Sequence, residues 1–281
     1  MRTTPWHQAI SGCMNAGHAY VIATVVNTQG STPRDGGSKM VITAEQTFDT
    51  IGGGRLELLV THRARELLAA NQGCQRLEPF PLGAQAAQCC GGNVTVMFEC
   101  IPAHDWQVAV FGAGHVGRAL LSILGGLPCQ VTMVDSRAEF APEQVPPNAR
   151  VDIHEDPLDA LATLPDRAWV IVLTHDHALD FALCRRLLSG DHWSFIGLIG
   201  SRTKAERFRA RLQAEGVTEQ ALQRLQCPIG LEGVAGKQPM EVAVSIAAQL
   251  QALYYQDYAS RSGASTTWRE IKSVLKGEPL E

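Results

Sequence analysis

The chain has 281 residues, of which 45% are hydrophobic and 19% charged, a balance that excludes a disordered protein and fits two ordinary domains or one large one. Lys and Arg number 24 against 28 Asp and Glu, a net charge of −4, which argues against a nucleic-acid partner, since that needs surplus positive charge to displace counterions. No apolar run approaches the roughly 18 residues of a membrane span, and the first residues hold no secretory-type apolar block, so a cytoplasmic protein is expected.

In chain order, the pattern predicts a helix over Trp6–Ala16 closed by Gly17, then a buried strand over Ala19–Val26, where β-branched and apolar residues run together. The long turn Gly30–Gly37 precedes a second strand at Lys39–Thr43, and Gly52-Gly53-Gly54 breaks the chain before a helix over Leu56–Ala70. Val94–Ile101 is the last strand before a divide at Ile101–Asp105. Glycine is entropically costly to order. The segments Gly30–Gly37, Gly52–Gly54 and Gly91-Gly92 are therefore expected where backbone turns with positive φ or lines a ligand. Arg34 and Lys39 add positive charge near the first of them, and Glu57 suits a helix start, where a carboxylate meets the positive end of the dipole.

Past the divide, strand and helix patterns alternate. Strands are expected at Gln107–Phe111, Gln130–Val134, Arg150–His154, Ala168–Leu173 and Ser194–Ile199. Between and after them come helices through Leu124, over Pro157–Leu164 as a short crossover, and over Ala178–Leu188, Ser201–Ala214 and Met240–Tyr254. This alternation predicts an α/β fold with a doubly wound parallel sheet. The expected organisation is a first domain over residues 1–103, a Rossmann-like domain over 104–258, and a Ser- and Thr-rich flexible tail over 259–281.

Gly112-x-Gly114-x-x-Gly117 follows a strand and opens a helix, and Asp135 closes the next strand. That is the context of a dinucleotide fingerprint. Gly112 allows the tight turn, Gly114 lets backbone approach a pyrophosphate, and Gly117 lets helix and strand pack closely. The helix N-terminus at His115 offers unpaired N–H groups to phosphate. Asp135 is suited to a ribose diol and Arg137 to a 2′-phosphate, which leaves NAD and NADP both open.

Thr174-His175-Asp176-His177 lies just past the fourth strand of this half, at the switch point where ligands collect. In an extended chain His175 and His177 face one side, a start for a metal site without an evident third ligand; alternatively Asp176 orients a histidine as acid or base. In Gly200-Ser201-Arg202, Ser201 is a candidate N-cap and Arg202 a candidate phosphate partner. Gly230–Lys237 is irregular but lacks the Gly-Lys-Ser/Thr of a P-loop. The eight cysteines are scattered without a Cys-x-x-Cys pair, and reducing surroundings would keep them as thiols, mostly small buried hydrophobes. Cys89-Cys90 stands apart because Gly91-Gly92 follows. On such a tight turn Cys90 either offers a thiolate to a soft metal or to sulfur exchange, or sits buried.

Taken together, these segments resemble the XdhC/CoxF family of xanthine dehydrogenase accessory proteins. The matching pieces are Gly30-Ser31-Thr32-Pro33-Arg34, Ile51-Gly52-Gly53-Gly54-x-Leu56-Glu57, Cys90-Gly91-Gly92, Phe111 to Gly117, Val134-Asp135-x-Arg137, Thr174 to His177, Ile199-Gly200-Ser201-Arg202, Cys227-Pro228-Ile229-Gly230, and Gly236-Lys237-x-Pro239 with Glu241 to Ala247. The resemblance spans about residues 5 to 255. It implies a smaller N-terminal mixed α+β accessory domain joined to a C-terminal Rossmann-like domain. It also implies a chaperone, rather than a turnover catalyst, for the molybdopterin-type molybdenum cofactor. Such a protein supports exchange of an oxo ligand for sulfide by a partner cysteine desulfurase and delivers the cofactor to a xanthine-dehydrogenase-type apoenzyme. On this reading Cys90 lies near the molybdenum, with Cys89 as the competing sulfur, and the glycine loops, Gly52–Gly54 included, bind the cofactor. A homodimer is expected. The rival readings are an NAD(P)-dependent oxidoreductase using His175 or His177 as acid or base, and a nucleotide-sensing binding module.

Overall fold

The computed structural model describes residues 4–30, 32–70, 73–82, 92–103, 106–234 and 236–258. The chain divides into two compact units, with divisions after Ala103 and after Asp257. The expected tail at 259–281 and the Cys89-Cys90 pair lie outside the described residues.

The first unit contains α1 (Trp6–Ala16), β1 (Tyr20–Gln29), β2 (Lys39–Ile42), β3 (Thr47–Asp49), α2 (Gly54–Ala69), β4 (Cys74–Pro81) and β5 (Asn93–Ile101). Its strands form a five-stranded sheet in the order β3-β2-β1-β5-β4, antiparallel at each pairing. In β1 the side chains alternate between two cores. Val21, Ala23 and Val25 join Leu56, Val60 and Ala64 of α2, whereas Tyr20 and Ile22 join Ala9 and Cys13 of α1. Burial on both faces explains the unbroken apolar run that marks this strand in the sequence.

Two strands of this unit were not expected. β4 contains Pro79 and Pro81, residues that argue against a central strand because proline cannot donate to the ladder. β4 is instead the outermost strand, where a missing N–H can face outward. β3 is only three residues long and occupies the other edge.

The second unit contains β6 (Gln107–Phe111), α3 (His115–Leu124), β7 (Gln130–Asp135), β8 (Ala149–Ile153), β9 (Trp169–Val172), α4 (His177–Leu188), β10 (Phe195–Leu198), α5 (Arg202–Ala214), α6 (Glu219–Leu222), β11 (Leu225–Gln226) and α7 (Pro239–Tyr258). The six-stranded sheet runs β11-β10-β9-β6-β7-β8 with parallel pairings throughout. This is the Rossmann order, and its switch point lies between β6 and β9. Strand residues alternate between two layers. Val108, Val110 and Ile171 pack with α3 and α7, and Ala109, Phe111, Val170 and Val172 pack with α4 and α5. The expected crossover helix is a 3₁₀ helix, the seven residues Pro157–Thr163, capped by Asp156; with Pro165 two residues beyond its end, there is room for only a short helical piece. The two-residue strand β11 is an addition to the five expected strands. No helix among the described residues is long and apolar enough to cross a membrane.

Phe98 is fully buried and packs on Phe80 at 6.1 Å between ring centroids. Phe98→Ala should destabilise the first unit by about 3–5 kcal/mol. Amide hydrogen exchange should report this as faster exchange in β1 and β5.

Candidate functional site

The candidate site is the carboxyl edge of the parallel sheet. At the end of β6, Gly112 adopts φ +119°, and a side chain there would come within 2.5 Å of the Leu173 carbonyl. A Cβ at Gly117 would lie 1.9 Å from the Gly112 carbonyl oxygen. These two glycines let α3 start directly against β6 and β9. Gly114 differs: a Cβ there meets nothing within 4 Å, and its φ is −67°. It N-caps α3 without any side-chain hydrogen bond, so the first turn of α3, beginning at the exposed His115, presents N–H groups to an incoming anion.

Asp135, at the end of β7, is 4% exposed. Its Oδ2 accepts from the Ala113 N–H at 2.7 Å and from Arg137 Nη2 at 3.0 Å. Its Oδ1 accepts from the Arg137 N–H at 3.0 Å and from Nε at 2.9 Å. Burial is the strongest single influence and pushes this carboxyl up. The Arg137 side chain and the two backbone N–H groups outweigh it and hold the carboxyl at about 2. The Arg137 guanidinium also lies 3.9 Å from the Phe140 ring centre. The two residues assigned to ribose and 2′-phosphate thus hold each other, and the carboxylate ties β7 to the glycine turn.

Beyond β9, the Thr174–His177 segment is set by a buried carboxylate. Asp180 is fully buried; its Oδ1 accepts from the Thr174 N–H at 3.1 Å and from the Thr174 hydroxyl at 2.7 Å. Its Oδ2 meets Lys204 Nζ at 2.6 Å, and the same ammonium donates to the Ile199 carbonyl at 2.9 Å. Lys204 and Asp180 therefore join the ends of β9 and β10. Asp176 caps α4, accepting from the Ala178 N–H at 2.7 Å. His177 is the first residue of α4, exposed like His175. His175 lines a slot of about 10 Å³ with Gly112, Asp135, Ser136 and Thr174, room for roughly one water. Among the described residues no three His, Cys, Asp or Glu side chains gather as a metal site.

Larger space lies beside β10 and β11. A groove of about 830 Å³ is bordered by Gly200, Arg202, Arg209, Cys227, Ile229 and Gln249, a volume in the range of small-molecule sites. Ser201 caps α5, accepting from the Lys204 N–H at 3.2 Å, and Arg202 opens that helix. Arg202 lies 3.6 Å from Glu232, and both side chains are almost fully exposed, so the pair is worth little and leaves the guanidinium available. The wall opposite is held by α7. Gln249 accepts from the Gly230 N–H at 2.7 Å, Ser245 donates to the Leu231 carbonyl at 3.3 Å, and Glu241 accepts from the Lys237 and Gln238 N–H groups. Burial pushes the Cys227 thiol up, against the pull of Lys204 and Arg209, so this sulfur lines the groove as a thiol and not as a nucleophilic thiolate.

In the first unit, Gly52, Gly53 and Gly54 have φ values of +127°, +72° and +62°. A Cβ at Gly52 would lie 2.8 Å from Pro33, which places two of the glycine loops in contact. Glu57 accepts from the Gly53 N–H at 3.1 Å and from the Thr50 hydroxyl, so it anchors the triple-glycine turn in addition to facing the helix dipole. The remaining sequence-derived candidate, Cys90, lies outside the described residues.

Sequence reasoning missed Asp180, Lys204 and the groove. Lys204 sits in a helix dense with Arg and Lys, and nothing in that pattern separates an ammonium paired with a buried carboxylate from solvated ones. The groove wall does carry a signal, the glycines from Gly230 to Gly236, but not its neighbour in space.

Residues 108–250 match the family model described as the XdhC Rossmann domain, and residues 13–78 match the one described as the XdhC and CoxI family. An Escherichia coli (strain K12) protein named uncharacterized protein YqeB is 28% identical over 240 residues, covering 82% of this chain and 43% of its own. The chain thus spans less than half the length of that curated relative. A crystal structure described as a xanthine dehydrogenase from Bacillus halodurans aligns with a TM-score of 0.48 at 18% identity, over 90% of this chain and 96% of that one.

Two measurements test the electrostatics. The Asp135 carboxyl is held at about 2 against ~3.9 unfolded. Its stabilisation is present above about pH 4 and lost as pH falls through 2. Asp135→Asn should lose about 2 kcal/mol near neutral pH and flatten the acid limb of a urea-denaturation series. Lys204→Met leaves Asp180 buried without its cation and should cost about 3–5 kcal/mol, whereas Lys204→Met with Asp180→Leu should recover much of that loss.

Proposed function

This chain belongs to the XdhC family, and on that footing we propose that it binds a molybdopterin-type molybdenum cofactor as cargo, supports its sulfuration, and passes it to a xanthine-dehydrogenase-type apoenzyme. The observation that carries this reading is the carboxyl edge itself. An uncapped α3 N-terminus with open space at Gly114 lies on the same sheet edge as a groove of about 830 Å³ bearing Arg202 and Arg209. A pterin carrying a phosphate asks for this combination: volume for the ring system, N–H donors and guanidinium groups for the anion. The slot at the switch point, about 10 Å³, is too small for a ring, so the pterin belongs in the larger groove.

The chain's own groups bind and orient; the metal–sulfur chemistry belongs to the cargo. Backbone at Gly114 admits a phosphate, and Arg202 and Arg209 balance its charge. Cys90 is assigned the soft thiolate near the molybdenum on the family resemblance, with the sulfur supplied by a cysteine desulfurase. His175 borders the small switch-point slot and His177 opens α4; both are exposed and are the candidate acid–base groups of this edge.

The three-glycine geometry supports a second reading, a nucleotide ligand of the NAD(P) type. In that reading a ribose diol competes with Arg137 for Asp135, whose oxygens already accept from four N–H donors.

The test is expression of the full chain with a working molybdopterin pathway, followed by molybdenum and pterin analysis of the purified protein. Gly114→Ala should keep the fold, with a loss below about 1 kcal/mol from the weaker cap, yet cut cofactor retention at least tenfold by blocking the phosphate. Gly117→Ala, which clashes with backbone, should instead lower stability by about 1–3 kcal/mol. Wild-type protein free of molybdenum and pterin that binds NADH or NADPH tightly would overturn the cargo reading in favour of the nucleotide.

A further inference from the structure

The first unit carries a pair of thiols that the cofactor reading does not use. Cys74 opens β4 and Cys100 lies near the end of β5, and the two are direct partners in the antiparallel register. Their Sγ atoms are 2.9 Å apart, about 0.9 Å beyond the ~2.04 Å of a disulfide bond. Directly opposed residues on paired antiparallel strands are close enough for small adjustments to close that gap. β4 is an edge strand, paired with β5 alone, so it can shift without breaking a second ladder. Cys74 is half-buried and Cys100 is buried, which gives one sulfur access to solvent and shields the other. The pair sits at the end of the β4–β5 ladder away from the Pro81–Asn93 pairing.

We propose that Cys74 and Cys100 are a redox-active dithiol that closes to a cross-strand disulfide when a small disulfide oxidant is present. With oxidised glutathione the exchange balances. The Cys74 thiolate attacks one glutathione sulfur, forming a mixed disulfide and expelling one glutathione thiolate, which takes up the proton Cys74 has lost. Cys100 then gives its proton to the second departing glutathione and its sulfur bonds to Cys74. Two protein thiols are oxidised, and one small disulfide is reduced to two thiols. The order follows from burial. Burial first, and then the neighbouring Cys74 thiol, push Cys100 up to about 12 against the pull of Arg76 and Arg63. It therefore acts second, once its partner is already in the mixed disulfide. Closure ties the edge strand to the sheet and cross-links the chain across the intervening residues, which include Cys89 and Cys90.

The experiment equilibrates the purified full chain in glutathione buffers of stepped oxidation, quenches with acid, and alkylates free thiols in denaturant. Proteolysis after Arg76 and after Phe98 puts Cys74, the Cys89-Cys90 pair and Cys100 on separate peptides for mass spectrometry. The expected result is a Cys74–Cys100 linked pair while Cys129 and Cys184 stay alkylated, with the thermal midpoint raised by ~4 °C. Cys74→Ser, at the sheet edge, should fold with an unchanged circular dichroism spectrum and lose both the link and the shift. The proposal is overturned if Cys74 and Cys100 stay alkylated or only singly glutathionylated at every buffer ratio. It is also overturned if Cys74 links to Cys89 or Cys90 instead, or if Cys74→Ser keeps the full thermal shift.

Discussion

The carboxyl edge of the parallel sheet depends on one close approach of backbone to backbone. A side-chain atom at Gly117 would sit 1.9 Å from the Gly112 carbonyl, and one at Gly112 would sit 2.5 Å from that of Leu173. Only bare backbone permits β6, β9 and α3 to meet there. That meeting sets where α3 begins and leaves its first turn open at Gly114. Given this geometry, the edge presents N–H groups in a place where side chains cannot crowd a ligand.

Around that approach, buried acids build the edge and exposed bases are left to bind. Asp135 and Asp180 are both almost inaccessible, and each spends its oxygens on holding backbone in place. Asp135 ties the glycine turn to β7 through Ala113 and Arg137, and Asp180 ties the β9 loop to α5 and β10 through Thr174 and Lys204. A buried carboxylate is tolerated only when its charge is matched in this way. The exposed Arg202, by contrast, has a solvent-screened partner that gives it up readily. The division of labour explains why the acid of the dinucleotide fingerprint is part of the scaffold in this chain.

Much of this was legible in the residue pattern, and the exceptions have physical causes. The parallel sheet followed from alternating apolar strands and helices, and the glycine roles followed from their spacing between a strand and a helix. Ser201 as a cap was readable because its side-chain oxygen acts within its own turn. β4 was hidden because Pro79 and Pro81 are permitted on an edge that the sequence does not identify as one. The pairing of Cys74 with Cys100 depends on sheet register, and the Lys204–Asp180 pair joins two helices; neither leaves a periodic trace.

By itself, then, the chain of residues determined whatever depends on near neighbours: strand and helix periodicity, glycine turns, helix caps, and the family resemblance those motifs carry. The tertiary structure decided what depends on residues distant in sequence meeting in space. It closed Asp135 onto the Ala113 N–H, brought Lys204 onto the buried Asp180, narrowed the switch point to a slot, and opened the roomy groove between the β10 and β11 loops and α7. The reason is that burial and charge pairing are properties of packed neighbours, and packing is settled only when the layers come together.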